Sequence, residues 1–437
     1  AIKLNKNYSK AFNNLGSLYL SQGEHDKALS NYKEALEVNP HNIEARSNLC
    51  EYYEKANQIS AFEREVKDSE KLYGDMQPLI NFQRIKLEYR KKRFSNVTNL
   101  FEKLSLHDLP SDKLASLFNI IGKSYDKLSD FKKAFEYFHK CNNHKIQSHK
   151  INLSKNLYCS ELTKLTADWQ SENITERKYK VLEKLPWSIN FLVGFPRSGT
   201  TLLDTILRGH KSVFVIEEMP LLSKIKIEAG IIPSPRNLSA LTKNQIDDLR
   251  HAYISEVNKL TGNRNHYDVI VDKFPLNITN VGLINTIFPE AKILLVLRHP
   301  YEAVLSCFMQ DFKMNEAMEN FLDLKKASSL YDKVMTIWTL YEKNIDLEFH
   351  TLKYEDLVKD MKGTIKKLSS FMSLPWQEDI LNFTKTAKKR DRIKTPSYEQ
   401  VVGKLYTTAI DRSKNYQKAL EPCSEDLDKW VERFKYE

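Results

Sequence analysis

Long apolar runs are missing from this chain. The longest, at 191–195 and 293–297, fall far short of the roughly 20 residues that span a bilayer, so a helical membrane protein is set aside. Cysteine is sparse as well: Cys50, Cys141, Cys159, Cys307 and Cys423 are odd in number, scattered, and form no C-x-x-C pair, which argues against a disulfide framework and against a zinc site. A reducing compartment follows, with the cytoplasm as the default location. No signal-peptide pattern is visible, although the chain starts at Ala1 without methionine. Nor is there a basic stripe. The net charge is +10, but Lys and Arg are dispersed through helical stretches with acids between them, so nucleic acid is not the expected partner. An anionic cofactor or an acidic acceptor accounts for the excess equally well.

One missing lysine redirects the reading. After an apolar run at 189–194, the spacing Gly194-x-x-x-x-Gly199-Thr200-Thr201 keeps the outline of a P-loop, whose backbone N–H groups and following helix N-terminus cradle a phosphate. Thr200 stands where a nucleotide kinase carries the lysine that reaches between the outer phosphates, and the cation lies inside the loop as Arg197. A triphosphate is therefore a poor candidate ligand. No carboxylate pair near the loop offers the other half of a magnesium site, so no metal is expected.

With 437 residues, 41% of them hydrophobic and 28% charged, the chain has room for two or three globular domains. The first 150 residues read as a repeat array. Leu15, Gly16, Tyr19, Ala28, Tyr32, Ala35 and Pro40 match the small and large apolar positions of the 34-residue tetratricopeptide unit. Small residues at 16, 28 and 35 let two antiparallel helices approach, Tyr19 and Tyr32 fill the gap, and Pro40 ends the second helix. Ile121, Gly122, Tyr125, Ala134, Phe138 and Cys141 repeat the pattern, with degenerate copies near 49–53 and 87–104, which predicts about four helix pairs. The opening residues, Ala1 to Lys6, resemble the repeat-end sequence from Ala35 to Pro40, so the chain is expected to begin inside a preceding repeat. A concave scaffold for a partner protein or peptide is the functional reading, and an oligomerisation or purely structural arm is the plain one.

A polar helical linker is expected over 151–187, and an α/β domain over 188–437. Strand-like runs at 189–194, 213–216, 269–271, 293–297 and 347–352 alternate with amphipathic helical patterns, which predicts a parallel sheet with helices on both faces. The fold class is thus an all-α tetratricopeptide superhelix followed by a parallel, P-loop-like sheet. Ligands of such sheets lie at the carboxyl ends of the strands. Four of those ends carry polar residues: Arg197 to Thr201 after the first, Glu217 and Glu218 after the second, Asp272, Lys273 and Asn277 after the third, and Arg298, His299 and then Ser306 after the fourth. A phosphate cradle, a lysine, a carboxylate and an Arg/Ser pair at one edge describe a site for a doubly anionic ligand and a proton acceptor. Each has a duller reading: Glu218 as a helix-capping carboxylate, Lys273 as a solvated loop residue, Arg298 as the partner of Glu302 at i+4.

These residues resemble the sulfotransferase superfamily, which moves a sulfuryl group from 3′-phosphoadenosine 5′-phosphosulfate (PAPS) to a hydroxyl or amine. The resemblance covers roughly 189–435. It implies that Pro196 to Thr201, with Arg197, Ser198, Gly199, Thr200 and Thr201, binds the 5′-phosphosulfate, and that Arg298 and Ser306, eight residues apart, grip the 3′-phosphate. It further implies Glu218, in its Glu-Glu pair, as the catalytic base, Lys273 as the contact to the bridging oxygen, and Tyr354 beside the adenine. Ser397 in Thr395-Pro-Ser397, the Lys404-Leu-Tyr406 stretch, and Arg412 or Lys414 look like the late loop that closes over the 3′-phosphate end; this segment departs from the commoner Gly-Arg-Trp-Arg pattern. The likeness is closer to the protein-tyrosine branch than to the cytosolic small-molecule branch, because Leu276 and Asn277 stand where the latter has a histidine after Lys-x-Pro. His210 and His299 sit in the motifs and are taken as structural. Repeat-plus-sulfotransferase chains of this kind are familiar from bacteria.

By that resemblance, Arg197 and Lys273 neutralise the leaving phosphate while Glu218 takes the proton of a hydroxyl acceptor, a protein tyrosine among the candidates, and the repeat array recruits the acceptor or a partner. The alternatives are a glycan or small-molecule sulfotransferase, and a repeat-based adaptor whose nucleotide domain no longer catalyses. Retention of Glu218, Lys273 and Arg298 weighs against the second. The stretches 221–260 and 311–330 are expected to border the acceptor cleft, and oligomeric state is not encoded in any motif.

Overall fold

The computed structural model describes residues 8–74, 77–171, 184–262, 267–389 and 410–436. The opening residues to Lys6, Ser397, and the Lys404 to Tyr406 stretch lie outside them. Two compact units divide the chain, one ending at Lys150 and the other beginning at Ile151.

The first unit is made of helices α1 (Ser9–Gln22), α2 (His25–Val38), α3 (Ile43–Lys55), α4 (Ile59–Tyr73), α5 (Pro78–Arg90), α6 (Phe94–Glu102), α7 (Ser111–Lys127) and α8 (Phe131–Ser148). Short connections pair them into four hairpins. Small residues set the approach of the helices: a Cβ on Gly16 would stand 2.8 Å from the Tyr32 ring, and one on Gly122 would stand 3.0 Å from the Phe138 ring. The same contact thus recurs in the first and last hairpins, with Ala28 and Ala134 fully buried beneath it. Charged residues between hairpins are matched to one another. Glu54 pairs with Lys86 and Arg90, and Glu51 accepts from Lys113 at 2.8 Å across from α7 to α3. These pairs bind the second hairpin to the third and to the fourth rather than advertise a free charge.

The second unit is built on five parallel strands in the order β2-β3-β1-β4-β5: β1 (Ser188–Gly194), β2 (Val213–Glu217), β3 (Val269–Lys273), β4 (Lys292–Leu297) and β5 (Glu348–Lys353). Residues alternate between faces, and β1, β3 and β4 are covered on both, which is why they read as near-continuous apolar runs, while the edge strand β5 is more exposed. On one face Leu192, Val215, Val271, Leu294, Val296 and Leu352 pack with helix α10 (Thr200–Leu207) and with helix Met361–Phe371. On the other, Phe191 meets Tyr253 and Phe288. After β1 the chain passes over β3 to form β2 at the edge, returns through β3, and crosses β1 to reach β4. The reversal leaves the turn after β1 at the centre of the carboxyl edge, where open α/β sheets bind ligands.

Helix α9 (Leu157–Ser171), within the stretch expected as a linker, docks onto this second unit. Trp169 donates its indole N–H to the Pro233 carbonyl at 3.1 Å and meets Tyr341 edge-on, and Asn156 donates to the Glu316 carbonyl. Among the described residues, no helix is long and apolar enough to cross a membrane.

Candidate functional site

The turn after β1 needs two unusual backbone conformations. Gly199 has φ of 98° and Arg197, a residue with a side chain, has φ of 69°. A Cβ on Gly199 would meet the Tyr354 ring at 2.5 Å, so the phenol of the residue following β5 lies directly under the turn. Helix α10 then begins at Thr200, and its first turn aims backbone N–H groups at the space above the loop. Ser198, Thr200 and Thr201 are all buried around it. Gly199→Ala is expected to combine a left-handed strain of about 1–2 kcal/mol with the collision against Tyr354. Thermal unfolding with and without a nucleotide bisphosphate should show a lowered Tm and a smaller ligand-induced rise.

Arg197 turns its side chain to the neighbouring strand end, where Nε donates to Ser306 Oγ at 3.1 Å. Arg298 returns the connection: Nη1 donates to the Arg197 carbonyl at 3.1 Å, Nη2 pairs with Glu302 at 3.3 Å, and the guanidinium sits 5.1 Å from the Tyr354 ring centroid. The dull reading of Arg298 as the i+4 partner of Glu302 therefore holds together with a direct grip on the loop. Glu302 in turn accepts from the Ser413 backbone N–H at 2.6 Å, which fastens the segment carrying Arg412 to the same place. Burial draws Arg197 down from the usual arginine range to about 10, and the like charges of Arg298 and Arg412 push the same way. Arg298 and Arg412 thus lie close enough to act on the Arg197 charge, and an anion placed among the three cations would relieve that repulsion. Lys414, by contrast, is exposed and pairs with Asp411 at 2.9 Å.

At the other side of the loop, Lys273 ends β3 with its side chain wholly buried. Its Nζ lies 2.7 Å from Glu218 Oε1, 3.9 Å from Glu217 Oε1 and 4.0 Å from Asp204 Oδ2. Lys273 is thus not a solvated loop residue. Glu218 sits just beyond β2 with φ of 48°, held by its backbone N–H donating to the Lys273 carbonyl at 2.8 Å, and its side chain is about a third exposed. It caps no helix: helix Leu221–Glu228 has Pro220 as its N-cap. An αL conformation in a residue with a side chain, beside a buried ammonium, is the kind of strain that accompanies a reactive site. Asp272, one residue before Lys273, faces the opposite side of the sheet and accepts from Tyr253 at 2.7 Å; burial pushes its carboxyl up to about 7.

The two histidines are built into the frame. His210 bonds the Pro375 carbonyl through Nε2 and accepts from the Ser212 N–H through Nδ1. His299 precedes helix Pro300–Phe308, meets the Tyr436 ring edge-on, and is held below the usual imidazole range by burial. Loop, Arg298, Ser306, Tyr354 and Arg412 form one continuous set, and Lys273 with Glu218 forms a second beside it. Asp204 joins them, because it rises from α10 in the loop's own helix yet reaches Lys273 Nζ. Sequence reading passed over it, although a carboxylate inside the apolar run Leu202-Leu203-Asp204-Thr205-Ile206-Leu207 was a legible signal.

Residues 190–378 match the sulfotransferase family, and residues 9–42 match the tetratricopeptide repeat. An uncharacterized protein of Aquifex aeolicus (strain VF5) is 25% identical over 388 residues, covering 83% of this chain and 48% of its own length. Protein-tyrosine sulfotransferase 1 of Danio rerio is 23% identical over 251 residues, covering 55% of this chain and 65% of its own. The amine sulfotransferase of Oryctolagus cuniculus is 30% identical over 227 residues, covering 46% and 62%. The chain spans less than two thirds of the length of each of these relatives.

Proposed function

We propose that this chain, which joins a tetratricopeptide repeat to a sulfotransferase-family domain, transfers the sulfuryl group of PAPS to a hydroxyl acceptor. The observation that carries the reading is the convergence of Arg197, Arg298 and Arg412 on one turn whose next neighbour is the buried Lys273 paired with the partly exposed Glu218. The donor set fits the nucleotide: helix N–H groups and Arg197 suit a 5′-phosphosulfate, while Arg298, Ser306 and Arg412 suit a separate 3′-phosphate. Tyr354, packed under Gly199 and beside Arg298, offers a ring face on the adenine side. Arg412 is the better candidate than Lys414, because it acts on Arg197 while Lys414 is committed to Asp411. Ser397 belongs with this late loop by sequence alone.

Transfer of this kind rests on alignment and on neutralising charge rather than on covalent help. Glu218, exposed enough to meet an acceptor, takes the hydroxyl proton as the acceptor oxygen bonds to sulfur. Arg197 and Lys273 stabilise the phosphate oxygen that receives the electron pair of the breaking S–O bond. The products are a sulfate ester and 3′-phosphoadenosine 5′-phosphate (PAP). The protein's own cations supply the neutralisation, so the scheme calls for no metal.

The acceptor in this reading is a protein tyrosine or another macromolecular hydroxyl selected partly by the repeat array. The names of the relatives divide between protein tyrosine and amine acceptors, so the acceptor class rests on Glu218 and the array. Incubation with sulfur-labelled PAPS and a cell extract tests the reading. Label is expected in macromolecules with the whole chain, and a chain lacking the first 150 residues is expected to lose that transfer while retaining PAP binding. Absence of any label transfer by the whole chain would overturn it, and PAP binding without transfer would favour an adaptor.

A further inference from the structure

The charge around Lys273 exceeds what its role toward Glu218 requires. Its ammonium is wholly buried, and a buried charge is costly unless carboxylates compensate it. Glu218 does so at 2.7 Å. During transfer, however, Glu218 is the group that takes the acceptor's proton, and a protonated carboxyl no longer compensates an ammonium. At that moment Lys273 must also serve the leaving phosphate rather than Glu218.

Resting on the proposed reaction, we infer that Asp204 is a positioning residue that holds the Lys273 ammonium in place while Glu218 takes the acceptor's proton. Asp204 is wholly buried on α10 and its Oδ2 stands 4.0 Å from Lys273 Nζ, an ion-pair separation without a direct hydrogen bond. Its other oxygen pairs with Arg208 one turn along the helix. The carboxylate is therefore anchored from outside the site and does not follow Lys273 as it moves. Glu217, 3.9 Å away on β2, adds a second and slightly exposed carboxylate. All eight residues of α10 are buried, and Asp204 is the only acid among them. An acid in that setting is costly to keep unless it is paired, and two cations meet it. It also links the phosphate loop mechanically to the lysine, since α10 starts at Thr200. The atoms that react never touch it.

The test compares Asp204→Asn, Asp204→Glu and Arg208→Gln in the whole chain, with kcat from label transfer and PAP affinity from calorimetry. Asp204→Asn is expected to lower kcat about tenfold or more with PAP affinity within about threefold, because Lys273 is then drawn more tightly to Glu218. Asp204→Glu should restore most of kcat. Arg208→Gln, which removes only the outer anchor, should leave PAP affinity unchanged and lower kcat less than Asp204→Asn. An Asp204→Asn protein with unaltered kcat, or one in which kcat and PAP affinity fall together without rescue by glutamate, overturns the inference. Failure of the unaltered chain to transfer label overturns the proposed reaction instead, so the two failures are distinguishable.

Discussion

Glu218→Gln is expected to lower the turnover number by about 10²–10⁴-fold, the usual contribution of a positioned general base, while PAP binds with affinity within about threefold of the unaltered chain. The variant keeps the size and hydrogen-bonding reach of the side chain but cannot take a proton at neutral pH. The plain reading of this residue is that it merely compensates the charge of Lys273, 2.7 Å away. That reading also predicts a loss, but of a different kind. With Glu217 and Asp204 still near the ammonium, loss of compensation should appear as a lower unfolding temperature, and turnover by the folded fraction should survive. Glutamine is preferred to alanine because it leaves the αL backbone at 218 and its bond to the Lys273 carbonyl undisturbed. Single-turnover rates of the folded protein separate the cases, and a rate within about threefold of the unaltered chain removes Glu218 from the role of base.

Much of the architecture was legible because the sheet is parallel and covered on both faces. Central strands buried in this way show as short apolar runs, and the stretches at 189–194, 213–216, 269–271 and 293–297, with the more exposed edge strand read at 347–352, each lie within two residues of a strand boundary in the fold. The order of strands was not legible, since an apolar run carries no mark of its neighbour. Nothing in 269–273 says that it lies between β2 and β1. The repeats were visible for a related reason: Gly16 and Gly122 are required by aromatic rings 16 residues later in the chain, so the same spacing returns with each well-kept unit.

Site residues were legible where a short motif concentrates them. Arg197 to Thr201 share one turn, and Arg298 and Ser306 share one strand end and the helix after it. The group around Lys273 was only half legible because it draws on three elements, α10, β2 and β3, whose proximity is set by the strand order. Asp204 and Glu217 point at Lys273 through that order alone. Arg298 fills both roles open to it, because one planar guanidinium with five donors serves the loop carbonyl and Glu302 at once.

That double attachment shapes the second large effect. Arg298→Ala is expected to weaken PAP binding by about 10²–10³-fold, the loss that follows removal of one partner of a buried charge-assisted pair. The same change leaves Glu302 buried with the Ser413 N–H as its remaining partner of note and removes the Arg298 bond to the Arg197 carbonyl, so the loop itself is also loosened. Affinity for PAP alone would not tell a lost phosphate contact from a disturbed loop. Adenosine 5′-phosphate does, because it keeps the 5′-phosphate that the loop holds and lacks the 3′-phosphate assigned to Arg298. If Arg298 grips the 3′-phosphate, the unaltered chain binds PAP much more tightly than adenosine 5′-phosphate, and the variant loses most of that preference. If Arg298 only braces the loop, both ligands weaken by the same factor and the preference stays. Glu302→Gln supplies the complementary measurement: it relaxes the hold on Arg298 and on the segment of Arg412 without removing either cation. Its effect on the preference for PAP is expected to be below about tenfold, and a loss as large as that of Arg298→Ala would move the specificity from the arginine itself to the geometry that Glu302 imposes.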